Sequence, residues 1–253
     1  MKITFLGTGT SQGVPVIACQ CGVCRHGSRY DKRLRSSVMI EVSGRVFVID
    51  SGPDFRQQML REDVMRLDGL FITHHHKDHI GGMDDVRSFN WVLKKPIDVY
   101  ASEATQTIIR SDFFYAFDEY GYPGVPLIEL HTIDSEPFDA HGITVQPLEG
   151  LHFNMPVLGF RIGDFAYITD MHYLPASTLI KLTDCKVIVL NALRKKKHVT
   201  HFNLEEAVQI LEFLRPEKAY LTHISHQMGF HKEVEKGLPG FIRLAYDGLK
   251  IEI

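Results

Sequence analysis

The chain lacks the features that mark exported, membrane-bound or nucleic-acid-coating proteins. It has only four cysteines and one tryptophan in 253 residues, and no apolar run approaches the 18 or more residues of a membrane span. Neither sign of charge prevails: 28 Lys and Arg stand against 31 Asp and Glu, a formal net charge of −3, so the broad positive field of a nucleic-acid binder is missing. No internal repeat and no Pro/Ser-rich linker divides the sequence. Hydrophobic residues at 44% and charged residues at 23% exclude disorder as a whole-chain description. One domain over residues 1–253 is expected, with a core large enough to dispense with disulfides. The apolar stretch at the start is too short for a secretory leader. Val16-Ile17-Ala18-Cys19 lacks the upstream apolar region of a lipoprotein cleavage box. A cytoplasmic location without a membrane partner is the expectation.

Against these shortages stand 14 histidines and a knot of cysteines, Cys19, Cys21 and Cys24, with Cys185 alone. Clustered thiols in a reducing compartment suit a metal better than a disulfide framework. The surrounding elements read as strands and helices in alternation. Strands are expected at Lys2–Leu6, Ser37–Val42, Arg45–Asp50, Leu70–Thr73, Asp98–Ala101, several times between Leu127 and Thr169, at Val187–Leu190 and at Ala219–Thr222. Helices are expected at Phe55–Met65, within Gly81–Trp91, at Glu103–Phe117, Pro175–Leu182 and Asn203–Leu214. In the last, Asn203 and Glu206 have capping-box spacing and Pro216 stops the helix. The segment Leu244–Ile253 reads as a hairpin around Asp247-Gly248. The pattern predicts an α/β protein of two mixed β-sheets packed face to face and flanked by helices, αββα. Gly7-x-Gly9-x-x-x-Gly13 has the wrong spacing for a dinucleotide fingerprint and reads as a turn.

The most informative run is His74-His75-His76-Lys77-Asp78-His79, directly after the apolar segment Gly69–Thr73. His74 and His76, one residue apart, can reach one metal. Asp78 and His79, a turn later, can reach a second. Further candidates each end an apolar strand: His152, Asp170 and His223. A carboxylate such as Asp170 can bridge two metals while His152 and His223 complete one site each. Separately, Cys19-x-Cys21-x-x-Cys24 offers three soft ligands where a structural zinc wants four. His226, three residues after His223, is the natural fourth, giving a zinc-binding loop at about 14–34.

Thr73-His74-x-His76-x-Asp78-His79-x-Gly81-Gly82, followed in order by His152, Asp170 and His223, resembles the signature of the metallo-β-lactamase superfamily over essentially the whole chain. The resemblance implies that sandwich fold with a dinuclear site. His74, His76 and His152 would hold one cation, Asp78, His79 and His223 the other, and Asp170 would bridge. It also implies that Asp50 orients a ligand histidine. The Cys loop together with Thr222-His223-Ile224-Ser225-His226 is similar to the cyclic phosphodiesterases of the carbon–phosphorus lyase pathway, which open phosphoribosyl 1,2-cyclic phosphate. There His201, in His201-x-x-Leu204, matches an active-site histidine. His201, Asp78 and Asp170 are then the catalytic set, with two divalent cations (zinc or manganese) and one structural zinc.

The expected activity is hydrolysis of a small phosphodiester, with His201, at an ordinary pKa near ~6.5, protonating the leaving alkoxide. The alternatives are a nuclease or a thioester or lactone hydrolase on the same centre, or a non-catalytic accessory of cofactor biosynthesis. Two departures from the resemblance bear on substrate: the basic run Arg194–His198 and the aromatic insert 113–122. The basic run suits a second, terminal phosphate or a solvated loop. The aromatics Phe113, Phe114, Tyr115 and Phe117 suit packing or a homodimer surface.

Overall fold

The computed structural model describes residues 1–118 and 123–253; the last four residues of the aromatic insert lie outside them. In chain order the strands are β1 (Lys2–Gly7), β2 (Ser37–Val42), β3 (Arg45–Ile49), β4 (Gly69–Phe71), β5 (Ile97–Ala101), β6 (Ile128–Thr132), β7 (Phe138–Ala140), β8 (Ile143–His152), β9 (Met155–Ile162), β10 (Phe165–Ile168), β11 (Val187–Asn191), β12 (Lys218–Thr222), β13 (Ile242–Leu244) and β14 (Lys250–Glu252). The helices are α1 (Gly22–His26), α2 (Phe55–Arg61), α3 (Lys77–Ile80), α4 (Arg87–Leu93), α5 (Glu103–Asp112), α6 (Ala176–Leu182), α7 (Leu204–Leu214) and α8 (His231–Glu235).

The strands form two seven-stranded mixed sheets, ordered β14-β1-β2-β3-β4-β5-β6 and β13-β12-β11-β10-β9-β8-β7. Each is antiparallel at one end and parallel at the other. Both are buried on two faces, which is why their strands read as near-continuous apolar runs. The inner faces meet through Phe5, Phe47, Phe71, Phe160 and Tyr167, all at most 1% exposed. A second cluster (Leu6, Phe55, Leu70, Val86) seats α2 and α4 outside the first sheet. A third (Ile188, Leu190, Ala207, Leu211) seats α7 outside the second. This is the αββα sandwich that the pattern predicts. No helix among the described residues is long and apolar enough to cross a membrane.

Three local expectations are corrected. The segment 244–253 is not a hairpin: β13 pairs parallel with β12 in one sheet, β14 antiparallel with β1 in the other. The Asp247 carboxylate accepts from Leu34 N (2.7 Å) and Thr8 Oγ1 (2.8 Å), and Gly248 N donates to Phe5 O (2.8 Å). The turn therefore carries the chain across the sandwich. The helix expected at Phe55–Met65 stops at Arg61, because Asp63 takes a left-handed φ of 51°. The helix expected over Glu103–Phe117 ends at Asp112, after which Phe113 packs into the core and a 3-10 turn follows. Phe113 is thus a core residue, whereas Phe114 is exposed.

Candidate metal centre

The ligand-type residues come from separate strand ends and converge where the two sheets open. His74 follows β4 through Thr73, whose carbonyl accepts from Leu158 N of the opposite sheet (3.0 Å). His76, Asp78 and His79 lie on or beside the single turn α3. That turn is pressed against Gly52: a Cβ there would stand 2.0 Å from the Asp78 carbonyl, so only glycine fits. His152 ends β8, Asp170 lies just past β10, and His223 follows β12. Asp50, Asp170 and His223 all take left-handed backbone conformations (φ 64°, 59° and 55°), turning their side chains out of the strand line. Such strain persists only where surrounding bonds impose it. At Asp170 the Asn191 side chain does so, bonding both Met171 N (3.0 Å) and Met171 O (2.8 Å).

Asp170 is the hub. Its Oδ2 lies 3.0 Å from His223 Nδ1 and 3.3 Å from His79 Nε2, and its Oδ1 3.9 Å from His201 Nδ1. Asp78 Oδ2 is 3.2 Å from His79 Nε2. His76 Nδ1 is 3.0 Å from His74 Nε2, and the His76 and His152 ring centres are 5.1 Å apart. The structure therefore gathers His74, His76, Asp78, His79, His152, Asp170, His201 and His223 in one place.

Hydrogen bonds select the tautomers. His79 Nδ1 donates to the fully buried Asp50 (2.6 Å). His152 Nδ1 donates to the Asp170 carbonyl (3.0 Å). The Thr73 hydroxyl, donating to Asp50 Oδ2 (2.9 Å), accepts from His74 Nδ1 (2.9 Å). Each ring is left with an Nε2 lone pair. His79 Nε2 is buried and makes no hydrogen bond among the described residues, yet carboxylate oxygens stand just over 3 Å away. Lone pairs and carboxylates facing one another in a buried space fit a cation between them. The charges agree. Burial opposes a charge on His79, but Asp170, Asp50 and Asp78 outweigh it and raise its pKa well above the histidine range. Burial likewise opposes ionisation of Asp170, but His223 and His79 hold its carboxyl well below the usual range.

Asp50 acts through its neighbours, holding His79 and Thr73 in place. Asp50→Asn is expected to weaken metal retention roughly 10–100-fold with the fold intact. Chelator competition measures this, and unchanged retention would count against the role.

His201 departs from its expectation. Only 7% of it is exposed, and burial followed by the neighbouring His223 pushes its pKa down to about 2. The resting ring is neutral. Its Nδ1 is buried without a hydrogen bond among the described residues and lies 3.9 Å from Asp170 Oδ1, so that His152, Asp170 and His201 form one more group close enough to share a cation. The backbone bond Phe202 N→Met171 O (2.9 Å) ties its loop to the Asp170 turn.

The cysteine loop closes on its fourth partner. His226 Nδ1 lies 3.4 Å from Cys19 Sγ and 3.2 Å from Cys21 Sγ, and one donor atom from each of these and Cys24 lies within 4.8 Å of all the others. The His226 contact and then a backbone bond lower the Cys21 thiol to about 6, the thiolate character that zinc needs. The neighbouring Gly9 backbone bridges both Arg35 and Ile224, so the glycine-rich turn joins this loop to the strand end bearing His223. Cys21→Ser is expected to lose one zinc. A loss of about 3 kcal/mol would lower the melting temperature by roughly 6–12 °C. Full zinc content and unchanged melting would refute a closed zinc site.

The sequence reading missed Thr73, Ser36 and Thr169 as supporting groups. Ser36 Oγ is 3.3 Å from His223 Nδ1, and Thr169 Oγ1 donates to Asp170 Oδ2 (2.6 Å). Hydroxyl residues are too common for spacing to single them out. It also missed a third mixed group at the edge of the sandwich, Asp98, Glu129 and His131, in which His131 Nε2 is 2.6 Å from Asp98 Oδ1.

Fold and centre together are of the metallo-β-lactamase type, and the β-lactamase superfamily domain model matches residues 45–224. The chain belongs to that superfamily. Among solved structures it is similar to a diphosphatase from the PhnP family, 38% identical with a TM-score of 0.94, the match covering 100% of this chain and 96% of that one. It is also similar to an octanoyltransferase of Porphyromonas gingivalis, 38% identical over 253 residues, covering 99% of this chain and 51% of that protein. Ribonuclease Z of Methanococcus maripaludis is 30% identical over 140 residues, covering 54% of this chain and 39% of that protein. The chain thus spans about half or less of the curated relatives it matches.

Proposed function

We propose that the chain is a metal-dependent phosphodiesterase acting on a small cyclic phosphate ester of a sugar or nucleotide, of the phosphoribosyl 1,2-cyclic phosphate kind. The observation that carries this reading is His201: a buried imidazole beside the ligand cluster, 3.9 Å from Asp170 and absent from either expected ligand set. His74, His76 and His152 would hold one divalent cation, Asp78, His79 and His223 the other, with Asp170 shared; both ions would be zinc or manganese. Such ions supply Lewis acidity toward phosphoryl oxygens and a nucleophile from water near neutral pH.

The protein's own part is positional. Asp50 and Thr73 hold the imidazoles, while the Asn191-braced turn holds Asp170. His201, once protonated, would be placed to pass a proton to a sugar alkoxide, a leaving group that needs one. Because the resting ring is neutral, its charged form depends on a bound phosphate anion to offset burial. The likeness to the PhnP-family diphosphatase supports phosphoester chemistry. The likeness to an octanoyltransferase favours a second reading, thioester hydrolysis. A thiolate leaves without a proton, so that chemistry gives His201 nothing to do.

The reading takes residues 1–253 as one catalytic domain with its zinc loop at about 14–34. It places that domain in the cytoplasm, with a small substrate as partner and a homodimer through the face bearing Phe114. The test is a screen of metal-loaded protein against cyclic phosphates, organic diphosphates, linear diesters, thioesters and lactones. Turnover of cyclic phosphates is expected, and turnover confined to thioesters or lactones would overturn the reading.

A further inference from the structure

The group Asp98, Glu129 and His131 lies at the end of the sandwich away from the Asp170 centre. Strands β4, β5 and β6 run parallel, and His74 of the centre follows the C-terminal end of β4. Asp98 pairs in register with Gly69, the first residue of β4, and so stands at the opposite end. Across the next pairing, Asp98 faces Glu129 and Tyr100 faces His131. Register partners share a face, so two carboxylates stand side by side, an arrangement that is destabilising unless a positive charge answers it. No lysine or arginine does so among the described residues. The ion pairs of Asp98 are with His131 and His141, and Glu129 has neither ion pair nor hydrogen bond there. Arg45 and Arg66 pair with Asp68 instead. The Tyr100 hydroxyl registers the unanswered charge: burial, and after it Asp98, Asp139 and Glu129, push its pKa up to about 12.

The donor atoms converge. His131 Nε2 is 2.6 Å from Asp98 Oδ1, and one ligand atom from each of Asp98, Glu129 and His131 lies within 4.8 Å of the others. Ligands about 2.0–2.2 Å from one zinc stand at most about 4.4 Å apart, so a small rotation of the exposed Glu129 side chain closes the group. Two neighbours hold it in shape. The His131 ring stacks on Tyr100, with centres 4.8 Å apart and planes at 21°. His141, on the turn between β7 and β8 of the other sheet, brings Nε2 to 2.9 Å from Asp98 Oδ2 and 3.1 Å from the Asp68 carbonyl. Both are acceptors, so His141 Nε2 carries a proton and pins Oδ2, leaving Oδ1 as the ligand oxygen. His131 Nδ1 makes no hydrogen bond among the described residues, so the ring can carry its proton there and give its Nε2 lone pair to a cation.

We propose that Asp98, Glu129 and His131 form a further cation site, open to water, for a divalent transition metal of the zinc class, with His141 orienting Asp98. One imidazole with two carboxylates suits zinc over magnesium or calcium, which prefer oxygen ligands alone. The ion joins β5 to the edge strand β6 and, through His141, ties both to the second sheet. Its role is to stabilise that end of the sandwich.

The test is titration with zinc chloride, followed by calorimetry and thermal melting, of metal-loaded wild type, Glu129→Gln and His131→Ala. The wild type should bind one more equivalent of zinc than either variant. At zinc a hundredfold above the dissociation constant, its melting temperature should rise by roughly 5–10 °C, a rise that both variants lose. Glu129→Gln alters an exposed side chain, so it reports on the site even if His131→Ala disturbs the Tyr100 stack. His141→Ala should weaken zinc roughly 10–100-fold without removing the site. Turnover of bis(p-nitrophenyl) phosphate should be equal in the wild type and all variants, so that the zinc loss is not traceable to the Asp170 centre. Equal zinc stoichiometry in the wild type and Glu129→Gln would overturn the site, as would an equal rise in melting temperature with magnesium chloride.

Discussion

Asp170→Ala is expected to release metal from both halves of the centre and to cost on the order of a thousandfold or more in turnover. A carboxylate that approaches His223 at 3.0 Å and His79 at 3.3 Å through the same oxygen is shared, so its removal damages two ligand sets at once. It also leaves His79 Nε2 facing one carboxylate instead of two. Losing a supporting group outside the ligands typically costs 10–100-fold, and a shared ligand should cost more. Metal analysis together with turnover of a phosphodiester is the measurement. Asp170→Asn keeps the shape and removes the charge; it should resemble the alanine variant if charge is what holds the ions. Unchanged metal content and rate in both variants would refute the assignment.

His201→Ala should keep both metals and the fold but lose on the order of 10²–10⁴-fold in rate on substrates that leave as a sugar alkoxide. On p-nitrophenyl diesters, whose leaving group departs without a proton, the loss should be much smaller. The contrast between the two substrates is the decisive quantity. Equal losses would make His201 a phosphate-binding or water-orienting group, and metal loss would make it a ligand. Burial makes the second outcome worth measuring: a ring held neutral, its pKa pushed down to about 2, has the lone pair that a ligand needs. Its 3.9 Å distance from Asp170 is compatible with either role, since two ligands of one ion can stand about 4 Å apart, so the metal content of the variant decides between them.

Local chemistry was legible in the sequence alone. The ligand box 74–79 is contiguous, and apolar runs ending in His or Asp announce strand ends that carry function. The Asn203/Glu206 capping box forms as its spacing predicts, with Glu206 N donating to Asn203 Oδ1 (2.9 Å) and Asn203 N to Glu206 Oε2 (3.0 Å). The αββα class follows from periodicity, because strands buried on both faces must alternate with helices that cover them. The knot of three cysteines marked a candidate metal site because thiols three residues apart or closer can share one ion, and the fold brings His226 to it.

What only the tertiary structure decided depends on contacts between distant segments. Leu244–Ile253 looks like a hairpin by turn chemistry, yet its two strands enter different sheets. The Asp247 carboxylate is claimed by Leu34 and Thr8, more than two hundred residues earlier in the chain. The tautomers of His79 and His152 follow from partners on other strands or turns, and that of His74 from the adjacent Thr73 only because Thr73 in turn donates to the remote Asp50. The neutral state of His201 comes from burial between β12 and the Asp170 turn, where an isolated histidine would keep its ordinary pKa. His131 reads in sequence as one residue of a strand; only folding sets its Nε2 against Asp98, with Glu129 beside them. Sequence specifies which groups are present and how neighbours along the chain are spaced. Burial and the approach of remote backbone determine which lone pairs and protons those groups present to a substrate.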